Sequence, residues 1–110
     1  MEKKGQALYI VSMNFTGTQE QEVEFNEWYN KIHVSDALRV PGFLTGDRYE
    51  AVRPGKKQRR YIAVYEVENE DVMNKGVDGP IMAEVSGDFR KKYLNLTSDW
   101  SLYRWRRIGP

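Results

Sequence analysis

FNEWYNKIHVSDALRVPGF, residues 25–43, holds the only histidine of the chain and a dense group of aromatic side chains. On a helix, at about 100° per residue, Phe25, Trp28, Tyr29, Ile32 and Asp36 share one face, with His33 at its flank one turn beyond Tyr29. Glu24, Glu27, Asn30 and Lys31 point away from that face. A stripe of bulky apolar residues must meet a core, so His33 and Asp36, three positions apart, sit beside buried surface, where pKa values shift. Val34, Ala37 and Leu38 fall on the other side of the same helical wheel. One straight helix would leave Val34 and Leu38 in water, which predicts a kink or break near His33. Such a break frees backbone groups and gives a local reason for a polar residue there. Pro41-Gly42 then stops the helix, and Phe43 opens the next element.

Outward from this segment, the chain reads as alternating strands and helices. Residues 6–15 set Ala7, Tyr9, Val11, Met13 and Phe15 against Leu8, Ile10, Ser12 and Asn14, a period of two in strand-forming residues. Thr16-Gly17 breaks the strand, and Thr18 with Gln21 forms a capping-box signature for a helix running from about Gln19 towards Arg39. Residues 43–53 and 58–68 are strand-like and separated by Pro54-Gly55-Lys56-Lys57, the signal of an antiparallel hairpin. Residues 70–75 suit a short helical turn. Pro80 starts a second main helix, with Ile81, Val85, Phe89 and Tyr93 nearly in line, ending near Asn95. Residues 100–108 close the chain as a fourth strand.

The order βαββαβ, with two right-handed crossovers, predicts a ferredoxin-like plait: a four-stranded antiparallel sheet with helices on one face, in one domain over residues 1–110. The first and third strands carry large apolar residues on both alternating sets, Tyr61, Ala63, Tyr65 and Val67 against Ile62 and Val64 in the latter. Both sheet faces therefore need cover, and too little chain remains for a third layer. A second copy packed sheet to sheet is the expected partner.

Composition excludes several kinds of chemistry. With no cysteine and one histidine, disulfides, thiol nucleophiles, cysteine-ligated metals and intrachain multi-histidine metal sites are all ruled out, and no metal is expected. Lys3 and Lys4 precede an apolar run, residues 7–11, too short for a signal-peptide core or a membrane span, so the expected location is the cytoplasm, with no membrane partner. The net charge of +1 says little about partners. A basic group at Arg53, Lys56, Lys57, Arg59 and Arg60, with Arg104, Arg106 and Arg107 near Trp100 and Trp105, is the best argument for nucleic acid. The hairpin tip lacks interleaved aromatics, so nucleic acid is not the expected partner.

Several residues have two readings. His33 is an acid or base near neutral pH, oriented by Tyr29 or Asp36, or it hydrogen-bonds a carbonyl freed at the helix break. Asp36 is that orienting carboxylate or a surface cap. Trp28 and Phe43 stack on a ligand or fill the core. Arg48 anchors a carboxylate or enolate oxygen, or pairs with Glu50 on the same strand face. Tyr9, Tyr61 and Tyr65 donate hydrogen bonds to a ligand or simply pack. Asn14 polarises a bound oxygen or finishes its strand.

Trp28-Tyr29, His33, Leu38, Pro41-Gly42-Phe43 and Arg48-Tyr49 resemble the pattern of EthD-like proteins of the dimeric α+β barrel superfamily. The resemblance covers about a quarter of the chain. It implies a sheet-to-sheet homodimer with a pocket between sheet and helices, and a superfamily that includes polyketide cyclases, cofactor-free monooxygenases and haem-degrading enzymes. Haem-degrading members carry their histidine on the second main helix, where residues 89–95 here contain none. The expected function is a small enzyme without a cofactor, acting on a hydrophobic carbonyl or phenolic compound as a cyclase, dehydratase or monooxygenase. In it His33 moves a proton and Arg48 or a tyrosine steadies the oxyanion. The alternative is a dimer that binds a small apolar ligand without catalysis.

Overall fold

Alternating side chains build the strands, and the computed structural model, which describes residues 5–110, contains all four. Lys3 and Lys4 lie outside the described residues. The chain runs β1 (Ala7–Phe15), α1 (Gln19–Trp28), a π-helical turn (Tyr29–His33), α2 (Val34–Ala37), β2 (Phe43–Glu50) and β3 (Tyr61–Val67). It continues through α3 (Glu70–Val77), α4 (Pro80–Tyr93), a 3-10 turn (Leu94–Leu96) and β4 (Thr97–Arg106). The sheet order is β2-β3-β1-β4, with every neighbouring pair antiparallel. This is the expected βαββαβ plait.

Local chemistry sets the ends of these elements. The Thr18 hydroxyl accepts from the Gln21 amide at 3.2 Å, and the Gln21 side chain accepts from the Thr18 amide at 2.8 Å, completing the capping box. Pro80 occupies the first position of α4, where its missing amide costs nothing. Asn69 caps α3 through the Val72 amide at 2.9 Å, and α3 runs on to Val77 where only a short turn was expected. Gly42, at φ 86°, reverses the chain into β2. The hairpin strands are shorter than expected, because residues 51–60 form an irregular loop closed by the Ala51 amide on the Arg60 carbonyl at 2.7 Å. β4 starts earlier than expected, at Thr97, because Thr97 and Ser98 pair with Phe15 and Asn14 of β1.

The core lies between the sheet and the helices. Phe25, Tyr29, Tyr65, Met73, Val67 and Val85 are its largest sealed side chains, together with Val40 after α2. At Gly46 the backbone of β2 approaches α2 closely: a Cβ there would stand 2.8 Å from Val34 Cγ1 and 2.9 Å from the Tyr65 ring. Gly46→Ala is therefore expected to destabilise the fold by about 1–3 kcal/mol through overpacking, read from chemical denaturation. A loss below about 0.5 kcal/mol would mean that α2 shifts freely on the sheet.

The other face of the sheet has no helical cover. Leu8, Tyr49, Tyr103 and Trp105 are exposed there, and Ile10, Ile62 and Val64 are only half-buried. Among the described residues no helix is long and apolar enough to cross a membrane.

Candidate functional site

The site begins with the spacing of four buried residues, Phe25, Tyr29, His33 and Ala37, each four positions after the last. An ideal α-helix would rotate the last of these about 120° away from the first. The π-helical turn removes that drift: the Val34 amide reaches back five residues to the Tyr29 carbonyl, and the helix widens there. The break expected near His33 is thus an insertion into the helical ladder, which keeps His33 on the core side and brings Val34 and Leu38 against the core. One expectation is corrected by it: Ile32 was placed on the core face but is 49% exposed, which follows from the change of helical phase at Tyr29. Asn30 is exposed as expected, and its side chain accepts from Arg48.

His33 is 9% exposed and surrounded by rings. Its imidazole stacks on Trp28 with centroids 5.0 Å apart, meets the edge of Tyr29 at 4.6 Å and lies 5.3 Å from Phe89. Nδ1 is buried with no hydrogen-bond partner. Burial pulls the imidazole from its ordinary 6.5 down to about 4, assisted by the Arg48 charge and opposed by Asp36 and Asp88. His33 is therefore neutral at pH 7.

A cavity of about 260 Å³ opens beside it, between the sheet and α4. Its buried wall includes Tyr9, Met13, Tyr29, His33, Tyr65, Met82 and Phe89; Ser86, Arg90, Leu94, Trp100 and Leu102 complete the lining nearer the surface. Burial pushes the Tyr29 hydroxyl up to about 12, against the opposing charge of Arg48, and raises Tyr65 and Tyr9 as well. All three stay protonated hydrogen-bond donors at neutral pH.

Of the residues singled out from the sequence, the structure brings His33, Tyr29, Tyr9 and Tyr65 together on this cavity. The others lie elsewhere. Asp36 faces Arg39, at 3.8 Å, and forms no hydrogen bond to His33. Trp28 stands behind His33, and Phe43 packs against Tyr9 and Tyr65 within the core. The Tyr61 hydroxyl donates to Glu22 and accepts from the Asn26 side chain at 3.2 Å, away from the cavity. Asn14 accepts from the Arg60 amide at 2.7 Å and donates to Asp99 at 3.2 Å, tying the ends of β1, β3 and β4 together. Glu50 pairs with Arg60 at 2.8 Å, so the Arg48–Glu50 pair does not form.

Arg48 sits on the far side of Tyr29. Its guanidinium lies 4.1 Å from the centre of the Tyr29 ring, and Nη1 donates to Asn26 and Asn30, each at 3.0 Å. Nε and Nη2 are buried without acceptors, and no carboxylate among the described residues pairs with it. The strand-four arginines, by contrast, are paired: Arg104 with Asp78 at 2.7 Å and Arg106 with Glu70 at 2.8 Å. No three His, Asp or Glu side chains among the described residues converge to hold a metal ion.

The sequence signal for α4 concerned only its core stripe, so Met82, Ser86 and Arg90 on the cavity wall were missed. Their positions four apart would have marked a second face of that helix.

No family model and no curated protein sequence matches the chain. Solved structures do. An EthD (ethyl tert-butyl ether D) family protein from Bacillus halodurans is similar over 93% of this chain and 99% of its own, with 12% identity and a TM-score of 0.68. The chain has the ferredoxin-like fold. SnoaB, a cofactor-independent oxygenase from Streptomyces nogalater, matches 96% of each chain at 13% identity and a TM-score of 0.64. MhuD, a haem degrader from Mycobacterium tuberculosis with two haems bound in its active site, matches 94% of this chain and 97% of its own at 18% identity and a TM-score of 0.64. Proteins with different chemistry thus share this backbone, and the reaction has to be argued from the side chains.

Proposed function

We propose that the cavity binds a hydrophobic carbonyl or phenolic small molecule and that His33 moves a proton there without a cofactor. The observation that carries this reading is that a neutral imidazole with an unpartnered Nδ1 and three tyrosines, two of them hydrogen-bonded to each other, line one largely apolar cavity. A free imidazole with a pKa of about 4 is a weak base. An oxyanion forming beside it in a water-poor space raises its proton affinity at the moment of transfer, so the proton leaves carbon or phenol as charge develops on oxygen. Tyr29 or Tyr65 then donates a hydrogen bond to that oxygen, and the guanidinium of Arg48 beneath the Tyr29 ring favours the negative charge. Cyclisation, dehydration and oxygenation can each start from such an enolate or phenolate. The working unit in this reading is a homodimer, which would cover the apolar outer face of the sheet.

A second reading, a binding protein without catalysis, is favoured by one observation: Asp36 turns to Arg39, and no carboxylate among the described residues is hydrogen-bonded to His33. His33→Gln separates the two. On a panel of aromatic phenols and diketones, read by absorbance and oxygen uptake, an enzyme should lose about 10²–10⁴ in turnover. A binder should show no turnover to lose and should keep its affinity. Turnover by wild type that survives His33→Gln unchanged would remove His33 from the chemistry.

A further inference from the structure

The cavity lining is one-sided in charge. Among the described residues Arg90 is its one ionised side chain, because His33 is neutral and no Asp or Glu contributes to the wall. Arg90 lies in the last turn of α4, exposed, beside the other exposed lining residues Leu94, Trp100 and Leu102, so it stands at the mouth. Among the described residues it has no carboxylate partner, whereas Arg39, Arg60, Arg104 and Arg106 all do. At the opposite end, Arg48 lies behind the Tyr29 ring with two guanidinium nitrogens unsatisfied.

Deeper in the cavity the charges oppose one another, because Asp36 and Asp88 act on His33 against Arg48. The mouth is different: Asp36 is engaged by Arg39 and Asp78 by Arg104, and no acid joins Arg90 in the lining. An unpaired guanidinium beside apolar surface makes the potential there positive. A neutral ligand gains nothing from that field, and a cation is repelled.

We propose that the cavity takes a hydrophobic carboxylic acid, its carboxylate held at the mouth by Arg90 and its apolar body lying against the tyrosines of the floor. This rests on the cavity being the ligand site, as argued above, and adds the charge of the ligand. It also assigns Arg90 as a specificity-determining residue. The oxygen at the far end of such an acid would reach Tyr29, where the second cation acts through the ring.

Three probes of matched shape test this: naphthoate, naphthol and naphthylmethylammonium, titrated by tryptophan fluorescence at low ionic strength, with Trp100 on the wall as reporter. Naphthoate is expected to bind at least about tenfold tighter than naphthol, and the ammonium weakest. The naphthoate advantage should shrink as salt is added. Arg90→Gln should remove that advantage, weakening naphthoate at least about tenfold more than naphthol, and Arg90→Lys should restore part of it. Naphthol binding as tightly as naphthoate in the wild type would overturn the anion assignment and leave the ligand site intact. An advantage that survives Arg90→Gln would overturn the role of Arg90. If none of the three binds at millimolar concentration, the ligand-site reading falls together with this one.

Discussion

His33→Leu is expected to remove roughly 3 kcal/mol of acid sensitivity from the folded chain without lowering its stability at pH 7. The imidazole is enclosed by Trp28, Tyr29 and Phe89, and Nδ1 has no partner, so the folded state resists protonation until about pH 4. The unfolded chain takes up that proton at the ordinary value of about 6.5. Above pH 6.5 neither state holds the proton, and the residue adds no pH dependence. Between pH 6.5 and 4 only the unfolded state binds it, so stability falls as the solution is acidified. Leucine fills a similar space, carries no proton and abolishes the orphaned nitrogen. Denaturant melts at pH 7 and pH 4.5 should show wild type losing markedly more stability than the variant. The carboxylates titrate in both proteins and cancel in the comparison. Parallel losses would mean that His33 is hydrated and not enclosed as described.

The chain is expected to sediment as a dimer at micromolar concentration, and Ile10→Glu to convert it to a monomer with unchanged secondary structure. Ile10 is central on the outer face of the sheet: it pairs with Val64 of β3 on one side and Tyr103 of β4 on the other. Leu8 and Trp105 are opposite one another in the same ladder, and Tyr49 faces Ile62 on β2 and β3, so the apolar patch crosses all four strands. A second copy laid on this patch buries it twice over by symmetry, and a standard interface removes about 1,600 Å² from water. A glutamate at its centre would be buried without a partner, raising the dissociation constant by at least about 100-fold. A wild-type chain that sediments only at the monomer mass under these conditions would show that the exposed face is tolerated in water.

Much of the fold was legible because its determinants are local. Alternation over residues 7–15 and 61–67 specifies strands whatever they pair with, and Thr18 with Gln21, Asn69, Pro80 and Gly42 mark element ends through hydrogen bonds or backbone angles that involve only near neighbours. Two-sided apolar strands also announced a sheet without enough chain to cover it. The helix break was predictable from the opposed positions of Val34 and Leu38, but not its form. That spacing is compatible with a kink, a gap or a widened turn, and only packing against the sheet selects the π-helical turn that turns Ile32 outward and Asn30 towards Arg48.

The site divided along the same line. His33 and the tyrosines drew attention by residue type and position, yet their convergence on one cavity depends on β1, β3, α4 and the π-helical turn meeting although they are far apart in sequence. Arg48 could be placed on the same strand face as Glu50, but which sheet face that is, the ring of Tyr29 between it and the cavity, and the amides that replace Glu50 as its partners, arise only when helix and sheet pack together. The sequence by itself determined which segments are strands and helices, because periodicity and capping act within a few residues. Tertiary structure decided which side chains share a solvent-poor space, because burial, and with it the depressed pKa of His33 and the unpaired charge of Arg48, exists only once distant segments have excluded water from one another.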